Sequence, residues 1–213
     1  MNIIILGPQG SGKGTQARLL SEKLGLFYFE SGDFLRERAR ADSRIDEIIN
    51  KKGELLPDEE TFTLVRDFLK EKTQNLDGLL LDGYPRSLKQ YQFLKDWLTD
   101  EGKKIDLAIF LNISDAEGVR RLSARVICPR CATVYNLITN PPPGGKCKCG
   151  GDPVQRSDDR AEAIKKRLER YHETTSPLIE VLKKDGILVE VDGERPIEVI
   201  LNDLEKIVAG HGE

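Results

Sequence analysis

Five short apolar runs, Ile3–Leu6, Phe27–Phe29, Leu79–Leu81, Leu107–Leu111 and Ile187–Val191, punctuate a chain of 213 residues. Four of the five are followed closely by Gly, Ser or Asp, and all are too short for helices, so they read as buried strands. Between them, apolar positions recur at helical spacing over Lys13–Leu24, Asp58–Lys72, Leu88–Leu98, Asp115–Arg125, Asp158–Lys184 and Pro196–Val208. Ser87 and Ser114 are placed to cap two of these helices, and Pro196 suits a first helical turn. Strands alternating with helices in this way predict an α/β fold whose parallel sheet is covered on both faces.

Two stretches break the alternation. Residues 30–57 are charged and mostly helical in pattern, whereas residues 126–157 carry all four cysteines, a Pro141-Pro142-Pro143-Gly144-Gly145 break and little helical periodicity. The first is expected to form a small helical insert and the second a β-rich insert stapled by metal, leaving 1–29, 58–125 and 158–213 as one core. With 38% hydrophobic and 32% charged residues, the chain has the balance of a globular protein. Its net charge of −3 supplies no global basic field for nucleic acid. No apolar run approaches the roughly 20 residues that span a bilayer, and no targeting segment is evident. A cytosolic protein without membrane or nucleic-acid partners is expected. In a reducing compartment, cysteines clustered at 128, 131, 147 and 149 point to metal rather than disulfides.

The chemistry begins after the first strand, at "GPQGSGKGTQ", residues 7–16. Glycines let backbone N–H groups converge on phosphate oxygens, and the following helix N-terminus favours an anion. Lys13 is spaced to reach the β/γ-phosphates. In the general phosphate-loop motif a hydroxyl follows the lysine; here Gly14 follows it and Thr15 comes one place later. The plain alternative is a glycine-rich turn with an exposed lysine. "LLLDGYPRS", residues 79–87, ends a strand with Asp82, suited to magnesium, and Arg86, suited to fork onto phosphate. Further arginines bracket both inserts: Arg36 near Asp33, Arg121 and Arg125 at a helical i, i+4 spacing, Arg156 beside Asp158 and Asp159, and Arg167 on the next helix. Singly each reads as surface; together they suggest a clamp on a phosphate.

The segments "GPQGSGKGTQ", "SGDFLR", "LLPDE", "DGYPRSLKQ", "RLSAR", "CPRC…CKCGG", "QRSDD", "KRLERYHETTSPLIEVL" and "VDGERP" together resemble the adenylate kinase family, in its long form with a zinc-binding lid. The resemblance runs from Asn2 to about Val208. It implies a P-loop kinase core with a five-stranded parallel sheet, residues 30–57 as the insert that binds the nucleoside monophosphate, and 126–157 as a lid over ATP. It further implies a soluble monomer that transfers phosphoryl reversibly from Mg-ATP to AMP, giving two ADP, in adenine nucleotide homeostasis. The residues implied at the ATP site are Gly10, Ser11, Gly12, Lys13, Gly14, Thr15, Arg121, Arg125, Val134, Tyr135 and Arg195. Those implied at the AMP site are Ser31, Arg36, Glu54, Leu55, Leu56, Gly83, Tyr84, Arg86, Gln90, Arg156 and Arg167. Lys13, Arg86, Arg125, Arg156 and Arg167 are the implied catalytic residues, and Arg121 is expected to stack on the ATP adenine. Asp82 would orient the waters of the Mg2+ that accompanies ATP, while Asp158 and Asp159 would position the lid-side arginines. Cys128, Cys131, Cys147 and Cys149 are the implied ligands of a structural Zn2+.

In such a reaction the nucleophile is a phosphate oxygen of AMP, already largely ionised near neutrality because its second pKa is about 6. No general base is needed, which agrees with a chain whose two histidines, His172 and His211, lie outside the phosphate motifs. Four positions depart from the family's usual pattern. Ser31 stands where Thr is usual, and loss of its hydroxyl is expected to erode base selectivity; Asn136 stands where His is frequent; the first insert is short. The second cysteine pair is C-x-C, a tight knuckle at which Asp152 or water could replace one thiolate. Two rivals follow. A kinase for UMP or CMP would usually carry Asn where Gln90 stands and a lid without cysteines. A zinc-ribbon nucleic-acid module would interleave aromatic with basic residues, whereas Arg130, Lys146 and Lys148 are accompanied by one aromatic, Tyr135.

Overall fold

A computed structural model describes residues 1–156 and 159–211. Strands β1 (Ile3–Leu6), β2 (Phe27–Glu30), β3 (Leu79–Asp82), β4 (Leu107–Asn112) and β8 (Leu188–Asp192) form one sheet in the order β2-β3-β1-β4-β8. Every pairing is parallel. The five apolar runs of the sequence therefore become the five strands, with boundaries moved by at most a residue, at the carboxyl ends of four and also at the amino end of β8. Ile5 and Glu30 both pair with Asp82, and Leu6 pairs with Phe110, so the carboxyl ends align along one edge. In open parallel sheets the ligand crevice lies outside that edge.

Alternation along each strand sends side chains to two separate cores. Ile4, Leu6, Leu79, Leu81 and Phe110 pack with Val65 and Leu69 of α4 (Asp58–Lys72), Leu94 and Leu98 of α5 (Leu88–Asp100), and Leu178 and Leu182 of α8 (Ser176–Lys184). Ile3, Ile5, Leu80, Ile109 and Leu111 pack with Ala17 and Leu20 of α1 (Lys13–Leu24) and with Ile200, Leu201 and Leu204 of α9 (Ile197–Gly210). Ser87 Oγ accepts from Gln90 N at 3.1 Å and Ser114 Oγ from Glu117 N at 3.3 Å, the two caps expected from sequence. Pro196 precedes α9 as its cap residue rather than entering the first turn.

Residues 31–51 are helical except at Asp42, which is extended and separates α2 (Ser31–Ala41) from α3 (Ser43–Asp46) and a wide π turn, Glu47–Lys51. The cysteine-bearing stretch forms a separate antiparallel sheet in the order β6-β5-β7, from β5 (Arg125–Ile127), β6 (Val134–Asn136) and β7 (Val154–Gln155). Its apolar centre is small, with Val126 and Tyr135 packed against Cys128 and Cys147. Helix α6 (Asp115–Ser123) stops short of the expected Arg125, whose backbone pairs with Asn136 in β5. Arg121 and Arg125 consequently do not share a helical face. The long helix expected to begin at Asp158, outside the described residues, consists of α7 (Ala161–Arg170), a π turn (Tyr171–Thr175) and α8. Pro177 explains the widening, since it offers no N–H to the preceding turn and its ring crowds the carbonyl four residues back.

Candidate active site

Between β1 and α1 the chain wraps through residues 7–12. Gly12 caps α1 in the left-handed region at φ 87°, without a side-chain cap and without an acidic residue in the first turn. The opening N–H groups of α1 are thus left for an anion. Gly10 lies against α6: a Cβ there would sit 2.8 Å from the Gly118 carbonyl oxygen, so only glycine lets helix and loop approach this closely. Gly14 answers the shifted hydroxyl of the motif. A Cβ at 14 would come within 3.2 Å of Asp82 Oδ2, so a larger residue in that place would crowd the carboxylate. The buried Ser11 hydroxyl has no partner among the described residues.

Lys13 Nζ donates to the Pro8 carbonyl at 3.2 Å. Burial, reinforced by Arg86, Arg167 and Arg125 and opposed by Asp82, brings its ammonium down to about 8. The same charges that perturb Lys13 are those the sequence marked, drawn to one place from four segments. Asp82 is buried and accepts a hydrogen bond from Tyr28 Oη at 3.1 Å. Burial pushes its carboxyl up, against the pull of Lys13.

Arg86 is held by two acceptors, with Nε donating to Gly83 O at 2.7 Å and Nη2 to Ser31 Oγ at 3.0 Å. Ser31 in turn donates to Gly83 O at 2.5 Å, and is itself buried. Arg36 donates to Asp33 at 2.5 Å and lies 3.6 Å from Glu30. Gln90 is buried, its Oε1 accepting from Arg86 N and its Nε2 donating to Asp58 Oδ1, each at 2.8 Å. Leu56 is buried, whereas Glu54 and Leu55 are exposed. Tyr84 is buried with no hydroxyl partner among the described residues, and burial pushes that hydroxyl up.

Toward the small sheet, Asp159 organises the arginines. Its fully buried carboxylate takes both Nε and Nη2 of Arg125, at 2.7 and 2.5 Å, and Arg167 Nη1 at 3.1 Å. Its N–H donates to the Arg156 carbonyl at 3.2 Å. Arg121 donates to Glu117 at 2.6 Å and to Gly193 O at 2.8 Å, and together with Arg120 it holds the Glu117 carboxyl down to about 2. Arg195 donates to Asp203 at 2.7 Å. Asn136 is committed to its own turn, accepting from Ile138 and Thr139 N–H groups while donating to Arg121 O at 2.8 Å.

The four cysteine sulfurs lie within 4.8 Å of one another, with Cys128 and Cys149 at 3.5 Å and Cys131 and Cys147 at 3.3 Å. Sulfurs around a tetrahedral ion with bonds of about 2.3 Å stand about 3.8 Å apart. The C-x-C knuckle thus brings both of its sulfurs to the cluster, while Asp152 turns to Lys146 at 2.9 Å. The Tyr135 hydroxyl, donating to Cys147 at 3.4 Å, brings that thiol down to about 6.

The family described as Adenylate kinase matches residues 5–187 of the chain. An adenylate kinase of Archaeoglobus fulgidus is 41% identical over 98% of both proteins, and one of Thermosipho melanesiensis is 40% identical over 98% of this chain and 99% of its own. Another, of Pyrococcus horikoshii, is 42% identical over 94% and 92%. The chain belongs to the adenylate kinase family. As a member of the adenylate kinase family it adds groups that the motifs alone did not mark. Arg170, one turn beyond Arg167, donates to the Gly53 carbonyl and ties the core to the helical insert. Tyr28 and Arg18 knit Glu30, Asp33 and Asp82 together across β2. The spacing of Arg170 from Arg167 was a usable signal; the tyrosine, in an apolar run, gave none.

Proposed function

We infer that this protein catalyses reversible phosphoryl transfer from Mg-ATP to AMP, giving two ADP. The observation that carries the reading is the convergence of Lys13, Arg86, Arg125 and Arg167 with Asp82 at the mouth of the phosphate loop. Four cations within electrostatic reach of one another suit a reaction in which negative charge spreads over a moving phosphoryl group. An ionised oxygen of the AMP phosphate forms the new P–O bond as the bond from Pγ to the bridging oxygen of ADP breaks, so no proton need move. His172, bonded to Asp115 at 3.0 Å, and His211, bonded to Ile207 O at 2.8 Å, are not called upon.

In this reading the loop residues Gly10 to Thr15 hold the ATP phosphates, and Asp82 orients the waters of the Mg2+ that enters with ATP. Arg121, Val134, Tyr135 and Arg195 line the donor side. Arg36 and Arg86 hold the AMP phosphate, with Ser31, Glu54, Leu55, Leu56, Gly83, Tyr84 and Gln90 around the nucleoside. Arg125, Arg156 and Arg167 complete the clamp when 30–57 and 126–157 close over the core and exclude water. The four cysteines hold one Zn2+, which fills its tetrahedral shell with thiolates, leaves no position for substrate and so serves structure. The protein acts as a cytosolic monomer. Among its described residues, no helix is long and apolar enough to cross a membrane.

The test is a coupled assay of purified protein with AMP, UMP, CMP, GMP and IMP as acceptors. AMP should exceed the pyrimidine monophosphates in kcat/KM by at least tenfold. Comparable values for UMP or CMP would overturn the adenine assignment, and a salt-dependent gel shift without phosphotransfer would revive the nucleic-acid module.

A further inference from the structure

The Gln90 amide is fixed in one of its two orientations, and the chemistry of its partners decides which. The Arg86 N–H can only donate, so the atom 2.8 Å away must be the oxygen, Oε1. The Asp58 carboxylate offers only acceptors when ionised, so the atom 2.8 Å from Oδ1 must be the nitrogen, Nε2. Turning the amide over would bring N–H against N–H at one end and oxygen against carboxylate at the other. Each end keeps spare capacity: one lone pair on Oε1 and one N–H on Nε2. That remaining pair presents an acceptor beside a donor in a fixed order, inside a buried setting where an unmade hydrogen bond is expensive.

We propose that Asp58 is a specificity-positioning residue, which locks the Gln90 amide to read adenine and reject 6-oxopurines. The proposal rests on the acceptor reading above. Adenine offers a donor at its 6-amino group and an acceptor at N1, which match Oε1 and Nε2 in the locked orientation. Hypoxanthine and guanine reverse both, with an oxygen at position 6 and a proton on N1, and would require the flipped amide. Asp58 opens α4 and its acidity there also suits the helix dipole, so a purely structural role is the competing account. The two accounts separate in the ratio of kcat/KM for AMP over IMP. A helix-dipole role affects folding and leaves that ratio alone.

The experiment measures this ratio, with melting temperature, for wild type, Asp58→Ala and Asp58→Asn. In Asp58→Ala the ratio should fall by about fivefold or more, because one of the two contacts that hold the amide is lost and turning it to serve IMP now opposes only the Arg86 N–H, and the loss for AMP should appear in KM rather than kcat. In Asp58→Asn the fall should be about threefold, since that side chain can offer Gln90 either end. Ratios within twofold of wild type in both variants, whatever their melting temperatures, would overturn the proposal; if Asp58→Ala fails to fold, Asp58→Asn decides alone. A wild-type enzyme that does not use AMP at all would instead sink the functional reading on which the proposal stands.

Discussion

At Ser31 a single hydroxyl serves two partners, donating to Gly83 O at 2.5 Å and receiving Arg86 Nη2 at 3.0 Å. The sequence suggested that this position contacts the base, as a threonine lacking its methyl. The geometry puts the hydroxyl beneath the guanidinium that would hold the acceptor phosphate. Removing it takes the partner from a partly buried donor of Arg86 and leaves the fork less firmly aimed, which costs about 1–3 kcal/mol in such settings. Ser31→Ala is therefore expected to raise KM for AMP by roughly 5- to 150-fold, with the AMP-to-UMP ratio unchanged. Ser31→Thr, which retains the hydroxyl, should stay near wild type. A Ser31→Ala enzyme that loses base discrimination at unchanged phosphate affinity would restore the sequence reading. The loop and the cations that the fold gathers around Lys13 were legible because glycine spacing and arginine position are local marks. The partners that aim them were hidden, since Asp58 and Gln90 or Ser31 and Arg86 meet only through the fold.

Among the elements, the small antiparallel sheet is the one least able to stand on side-chain burial. Val126 and Tyr135 are its buried side chains apart from the cysteines, and Val134, Leu137, Ile138 and Val154 remain exposed. Structural zinc sites in small peptides contribute on the order of 10–16 kcal/mol apparent, more than so small a core gains from water exclusion. Metal analysis should find one zinc per chain. Chelation should lower the melting temperature by loosening residues 125–156, and phosphotransfer at low temperature should fall only in part. Gly151 gives an independent handle, because a Cβ there would lie 2.7 Å from Cys128 Sγ. Gly151→Ala should reproduce the chelation effect on melting; wild-type zinc content and melting in that variant would place the sulfurs differently. Strand and helix types were legible from periodicity throughout the core, where burial repeats along the chain. The ends of α6 and the break at Tyr171–Thr175 were not. Arg125 leaves its helix to pair with Asn136, a contact between elements, and the π turn answers to one proline inside an otherwise helical pattern.

At the scale of the whole molecule, the parallel sheet, two inserts and several helices bring like charges together, and Lys13 records the cost. In the protein without nucleotide its ammonium is brought down to about 8, chiefly by loss of hydration and then by the charges of Arg86, Arg167 and Arg125, against the pull of Asp82. An unfolded lysine titrates at about 10.4. Between these values the unfolded chain binds more protons, so this group makes stability rise with pH from about 8 to about 10.4. Nucleotide reverses the sign. The phosphates of ATP supply the negative charge the site lacks, return Lys13 to its protonated form and draw a proton from solvent. ATP affinity should accordingly be level near pH 7, where the phosphates are already ionised, and weaken above pH 8, approaching tenfold per pH unit. Calorimetric titration in two buffers of different ionisation enthalpy should show proton uptake rising toward one per ATP at pH 9. Lys13→Met should abolish both the uptake and the slope, while lowering kcat/KM by roughly a thousandfold through loss of a phosphate-clamping charge. An ATP affinity that is the same at pH 7 and pH 9.5 in the wild-type protein would mean that Lys13 keeps its proton in the free enzyme, its ammonium better hydrated than its burial implies.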